Sequence, residues 1–217
     1  MIHPGPAPRG DASAGRRVLG VPQRGIALLL LAAGLARRMG QPKIFLELDG
    51  RPLLLHALDR LRDEAIGDVV VVVGPGDLDR ATGLVGTRAR AVVNPSPEAG
   101  QSSSLRVGVE ALAPGTAAVV VALGDQPTVP PVVVPGLIRL WHATGQPVVA
   151  PRYADGRGNP VLFAAAVFPE LRAVSGDQGA RAVIARDPAR VALLELDVPM
   201  PPDVDTPEDL ARLRAGR

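Results

Sequence analysis

The sequence predicts an α/β fold with a mostly parallel central sheet. From Gly25 onward, short runs of Val, Leu, Ile and Ala alternate with amphipathic stretches. Of the 217 residues, 47% are hydrophobic, so one core of this kind can be filled.

The elements follow in order. The first strand is read at 26–31, and it runs straight into Ala32-Ala33-Gly34. A helix is read at 52–64, with Pro52 where its fixed φ suits a first turn. Strands at 69–73 and 89–93 precede a helix at 103–112, for which Ser102 or Ser103 is a candidate cap. A strand at 117–122, a helix at 131–143 opened by Pro131 and a strand at 148–150 complete the pattern. Residues 1–24 are rich in Pro, Gly, Ala and Arg without apolar periodicity, and are expected to be a disordered extension or a misassigned start, leaving 25–217 as one domain. Arg16-Arg17 is followed by a segment too short and polar for an export signal.

Composition excludes several functions. One Trp, one Tyr and three Phe provide no stacking platform for single-stranded nucleic acid, and a formal charge of +2 implies no general nucleic-acid binder. The absence of cysteine rules out disulfides and thiolate metal sites and is compatible with a cytoplasmic protein. No apolar run approaches a membrane span. His3, His56 and His142 have no companions at zinc-ligand spacing, and no G-x-S-x-G elbow is present.

In an open sheet, ligands bind beyond the carboxyl ends of the strands, so the turns after Leu31, Val93 and Ala122 should converge on one cleft. The first turn suits a polyphosphate. Gly34 lets backbone N–H groups approach an anion, and Arg37, Arg38 and Lys43 supply fork-shaped and point charges. Neither the P-loop nor the G-x-G-x-x-G pattern occurs. The turn Leu123-Gly124-Asp125-Gln126-Pro127 places a carboxylate at the same rim. A second acid is offered by Pro202-Asp203-Val204-Asp205-Thr206-Pro207-Glu208-Asp209, where Asp203 and Asp205 share a face if extended. Two carboxylates plus substrate phosphates suit magnesium. The same segment also reads as a helix start with Pro in its first turn.

These residues carry a resemblance. The run LAAGLARRMGQPK, together with LGDQP, GRGNPVLF at 156–163, GDQGAR at 176–181 and DVDTPEDL, resembles the nucleotidyltransferase family that attaches a nucleotide to molybdopterin, over 26–213. The resemblance implies a three-layer α/β/α, Rossmann-like (GT-A-like) nucleotidyltransferase domain. It implies that Leu31, Ala32, Ala33, Gly34, Arg37, Arg38 and Lys43 bind the nucleotide, with Arg38, Lys43 and Asp125 catalytic and Asp125 and Asp205 holding Mg²⁺. Ala36 stands where the family has Ser. The Ala-Ala-Gly form is similar to the cytidine-using branch, so CTP is the expected nucleotide, with Ser103 and Ser104 at its base and ribose. Asn159, Asp177 and Arg181 are expected on the acceptor side, where molybdenum-loaded molybdopterin would sit. Asn159 could instead form a hairpin-like turn, and Asp177 could cap the helix carrying Arg181.

The implied chemistry is attack of the molybdopterin phosphate on the α-phosphorus of CTP, with pyrophosphate leaving. The product would pass to a molybdenum hydroxylase apoenzyme or its maturation chaperone. Alternatives are guanylyl transfer to the same cofactor, nucleotidyl transfer to another phosphate acceptor, and a non-catalytic cofactor carrier or insertion chaperone.

Overall fold

The computed structural model describes residues 25–34 and 40–215. The expectation for the tail at 1–24 and those for Arg37 and Arg38 lie outside the described residues.

In chain order the strands and helices are β1 (Ile26–Leu31), β2 (Glu47–Leu48), β3 (Arg51–Pro52), α1 (Leu53–Arg60), β4 (Ile66–Val73), α2 (Leu78–Val85) and β5 (Arg90–Val93). Next come α3 (Gln101–Glu110), β6 (Ala118–Leu123), α4 (Val133–Thr144), β7 (Val148–Tyr153), β8 (Gly156–Arg157) and β9 (Val161–Ala164). The chain continues through α5 (Phe168–Ala173), α6 (Arg181–Arg186), β10 (Val191–Glu195) and α7 (Pro207–Ala215). The main sheet has eight strands in the order β10-β7-β9-β6-β1-β4-β5, with β8 added to β7. β1 is parallel to both β4 and β6, β4 to β5 and β10 to β7, whereas β9 is antiparallel to both its neighbours.

The period of two along β1 builds the three layers. Ile26, Leu28, Leu30 and Ala32 face a core shared with α1, α2 and α4, while Ala27, Leu29, Leu31 and Ala33 face one shared with α3 and α5. Because both faces are covered, the strand is apolar at every position, as a parallel strand between two helical layers must be. α3 lies close on β1: a Cβ at Gly108 would sit 2.3 Å from Leu29 Cδ1. A smaller cluster of Leu48, Leu53, Val204 and Leu210 ties α7 and the acidic segment before it to the β2–β3 hairpin.

Element edges differ from the sequence reading in physically simple ways. α1 and α4 start after rather than at their prolines, with Pro52 and Val132 in the flanking positions. α3 begins two residues early, behind Gly100, and no side chain caps it; the first-turn serines lie inside the helix, so the cap expected from Ser102 or Ser103 is not made. The chain after residue 150 carries β8, β9, α5, α6 and β10, which the sequence reading did not delimit.

Candidate active site

β5 and β6 lie on opposite sides of β1 and β4, so chain order reverses beside β1, and that is where an open α/β sheet forms its ligand crevice. A cavity of about 240 Å³ opens there. It is lined by the turns after β1, β5 and β6, the three that were expected to converge, through Ala33 and Gly34, through Pro97, Gly100, Gln101 and Ser104, and through Leu123 and Asp125. Two short bonds hold the turns in place: Ala32 N–H donates to Val72 O at 2.8 Å and Gly124 N–H to Leu31 O at 2.9 Å. A Cβ at Gly34 would meet no described atom within 4 Å, and its φ is not positive. Among the described residues neither packing nor a positive φ requires glycine at this position.

Lys43 begins a one-turn 3-10 helix whose next two residues, Ile44 and Phe45, are buried. That anchor directs its side chain across the cavity, where Nζ lies 3.5 Å from Asp125 Oδ2 and donates to Asp205 Oδ1. Burial works to lower the Lys43 pKa, but the hydrogen bond to Asp205 and the charges of Asp125 and Asp205 outweigh it, and the net shift is upward. The Asp125 carboxyl is pushed up, first by burial and further by Asp203 and Asp205, with Lys43 opposing.

Asp203 and Asp205 lie on the same side of their segment because Val204, fully buried between them, anchors it. Val204 N–H donates to Asp125 O at 3.0 Å, and Gln126 Nε2 donates to Asp203 Oδ1 at 2.8 Å, so the acidic segment is pinned to the Asp125 loop. Just beyond, Thr206 and Asp209 form a reciprocal cap: Thr206 N–H donates to Asp209 Oδ2 at 2.8 Å and Asp209 N–H to Thr206 Oγ1 at 3.2 Å. The helix start expected of this segment is thus formed, directly after the two acids. The Thr206 hydroxyl and the backbone N–H groups of Asp205 and Thr206, all donating to Asp209 Oδ2, hold the Asp209 pKa low.

Among the described residues no three His, Cys, Asp or Glu form a metal cage. Asp125 and Asp205 nevertheless fit a hard divalent cation, which takes its remaining ligands from phosphates and water. The ammonium of Lys43 already stands between the two carboxylates as a positive stand-in.

The other site expectations separate. Ser104 lines the cavity; Ser103 does not, because its hydroxyl lies 2.7 Å from Gly100 O and 3.0 Å from Ser96 O as donor and accepts from Asn94 Nδ2. Asn94, buried at the end of β5, also donates to Ser104 Oγ at 2.9 Å and accepts from Ser96 N–H, so it organises the whole turn. The sequence reading included Asn94 in the loop at 94–106 that resembles a base- and ribose-holding segment but chose Ser103 and Ser104 from it, although Asn-Pro-Ser after a strand is a turn signal. Asp177 does not cap α6, which Ala180 precedes. It sits in a 3-10 turn laid on the start of α3 and lines the first cavity. Asn159 and Arg181 line a second cavity of about 350 Å³, which shares Leu31, Gln101 and Leu123 with the first. His56 is structural: its Nε2 lies 2.8 Å from Leu48 O, the ring N–H donating.

A mostly parallel sheet between helical layers is the fold also found in solved nucleotidyltransferases, among them a nucleotidyl transferase of Methanothermobacter thermautotroptrophicus that aligns with a TM-score of 0.71 at 24% identity, over 88% of this chain and 97% of that one. Residues 28–191 match the family model for the MobA-like NTP transferase domain, and the chain belongs to that family. It is 30% identical over 149 residues to a probable molybdenum cofactor guanylyltransferase of Pyrococcus horikoshii, covering 69% of this chain and 72% of that one. It is 36% identical over 135 residues to a ribitol-5-phosphate cytidylyltransferase of Streptococcus agalactiae, covering 57% and 56%. Among solved structures, Rv0371c of Mycobacterium tuberculosis in complex with manganese aligns with a TM-score of 0.75 at 29% identity, over 88% of this chain and 98% of that one. The chain spans between 24% and 72% of the length of the first curated relatives it matches. No helix among the described residues is long and apolar enough to cross a membrane.

Proposed function

We propose that this enzyme transfers CMP from CTP to the terminal phosphate of molybdenum-bound molybdopterin, releasing pyrophosphate. The observation that carries the reading is the meeting of Lys43, Asp125 and Asp205 at the end of the first cavity, next to a second cavity in which an acceptor can reach the same point. In this reading the turn at Ala32 to Gly34 receives the triphosphate, with Arg37 and Arg38 following it in sequence, and Ser104 and the start of α3 lie toward the base and ribose. Asp125 and Asp205 would hold Mg²⁺, which when bound offsets charge on the phosphates. Lys43 offsets the charge that builds on leaving pyrophosphate, and Gln126, by fixing Asp203, keeps the acidic segment in place. The acceptor phosphate is ionised near neutral pH, so the chain needs no general base. Catalysis then rests on alignment and electrostatics.

The acceptor is supported by the Pyrococcus relative, whose name is that of a molybdenum cofactor enzyme. The same name favours GTP as a second reading, while the Ala-Ala-Gly turn and the cytidylyltransferase relative favour CTP. Pyrophosphate release from purified protein with Mg²⁺ and molybdenum-loaded molybdopterin, comparing CTP with GTP and including Asp125→Ala, tests the proposal. Release with CTP that disappears in the variant supports it. Preference for GTP moves the enzyme to guanylyl transfer, and no release with either refutes this acceptor.

A further inference from the structure

The second cavity is floored by apolar side chains, among them Val161, Ile184 and Met200, and no carboxylate lines it. Two arginines do, Arg157 and Arg181, both exposed and neither with a side-chain hydrogen bond or ion pair to any described residue. Other arginines of the same half of the chain are engaged: Arg152 forks onto Glu195 and Arg190 onto Glu170. A pair of free guanidinium groups over an acid-free cavity draws an anion, and their fork geometry suits a phosphomonoester.

Arg157 is also held on rigid backbone. It ends β8 and pairs with Arg152 of β7. The next residue, Gly158, is seated so tightly that a Cβ would lie 2.9 Å from the Tyr153 ring and 3.1 Å from Met200 Sδ. Gly158 N–H donates to Pro151 O at 3.2 Å and Tyr153 OH to Asn159 O at 2.7 Å, closing the turn from both sides. A guanidinium on such a base loses little freedom when it binds.

We infer that Arg157 is an acceptor-binding residue which, with Arg181, grips the phosphomonoester of the acceptor and presents it toward Leu31, Gln101 and Leu123, where the two cavities join. This deepens the nucleotidyltransferase reading proposed above. It names the substrate class, a doubly charged phosphate ester, without depending on the pterin.

Steady-state kinetics of wild type, Arg157→Ala and Arg157→Lys with CTP and Mg²⁺, using molybdenum-loaded molybdopterin and ribitol 5-phosphate as alternative acceptors, test the inference. Loss of one charge-assisted contact raises the acceptor KM about 10- to 100-fold in Arg157→Ala. The KM for CTP stays within roughly twofold, and the lysine variant recovers part of the loss. An unchanged acceptor KM, or a fall confined to kcat, overturns it. Turnover of ribitol 5-phosphate alone, with its KM raised in Arg157→Ala, sinks the molybdopterin reading while upholding Arg157. Calorimetric titration of inorganic phosphate into the CTP-bound protein is read independently of turnover: weaker binding in Arg157→Ala supports the inference, and equal binding overturns it.

Discussion

Gly100→Ala tests how the first cavity is built. Gly100 precedes α3 with φ 90° and ψ 177°, a region that only glycine enters without strain. A Cβ there would stand 2.8 Å from both the carbonyl carbon and the oxygen of Gly176, and 2.3 Å from Asp177 Oδ1. The aspartate end can turn aside, but the backbone of Gly176 cannot do so without lifting its whole turn. Backbone strain costs about 1–3 kcal/mol, and an overpacked contact about 1–3 kcal/mol more. A central total of about 4 kcal/mol corresponds to a fall in Tm of about 8–16 °C for a domain of this size. If the Gly176–Gln178 turn swings away instead, part of that loss moves into binding, and the KM for the nucleotide rises because Asp177 leaves the cavity wall. Gly115→Ala separates the two terms, since Gly115 has φ 82° but open space around its Cβ position. Calorimetric Tm and nucleotide KM are read on both variants. A Gly100→Ala protein no less stable than Gly115→Ala, with unchanged KM, refutes the close packing of this turn on α3.

In Asp125→Asn, the stabilisation that Mg²⁺ or Mn²⁺ gives the wild type in a thermal-shift assay is expected to vanish, and kcat/KM to fall about 100-fold or more. Asp125 has a raised folded pKa, so its charged form weakens the metal-free fold as pH rises through the carboxylate range; the shift given by the cation is therefore larger at pH 8 than at pH 4. Gly108→Ala gains about 1 kcal/mol of helix propensity but forces a methyl against buried Leu29 on the central strand, for a net loss of about 2 kcal/mol by urea unfolding. Glu170 is held below its ordinary pKa, chiefly by its hydrogen bonds to Arg190. Its contribution is present above the unfolded carboxylate pKa and is lost as pH falls through the folded one, so Glu170→Gln flattens the acid limb of a Tm-against-pH curve.

Much of this was legible because it is written locally. A strand buried on both faces must be apolar throughout, so 26–31 declared itself, and the switch-point rule located the turns after β1, β5 and β6 before any coordinates. Short half-buried strands such as β8 and β10 carry no such run, and their edges stayed hidden. The serines at the start of α3 show why capping signals mislead. Ser102 and Ser103 have the right chemistry, but a glycine-only conformation at Gly100 had already begun the helix, and Asn94 took the hydroxyl of Ser103.

The sequence by itself determined the α/β alternation, the glycine-and-base-rich segment after the first strand and the acids offered to it, because strand period and turn chemistry act over a few residues. Only the tertiary structure decided which acids meet Lys43, that Asp177 lines the first cavity, and that Arg157 joins Arg181 over a second cavity. Those pairings span up to 162 residues of chain, as between Lys43 and Asp205. Contacts of that separation are fixed by how buried residues such as Val204 pack, which no local pattern encodes.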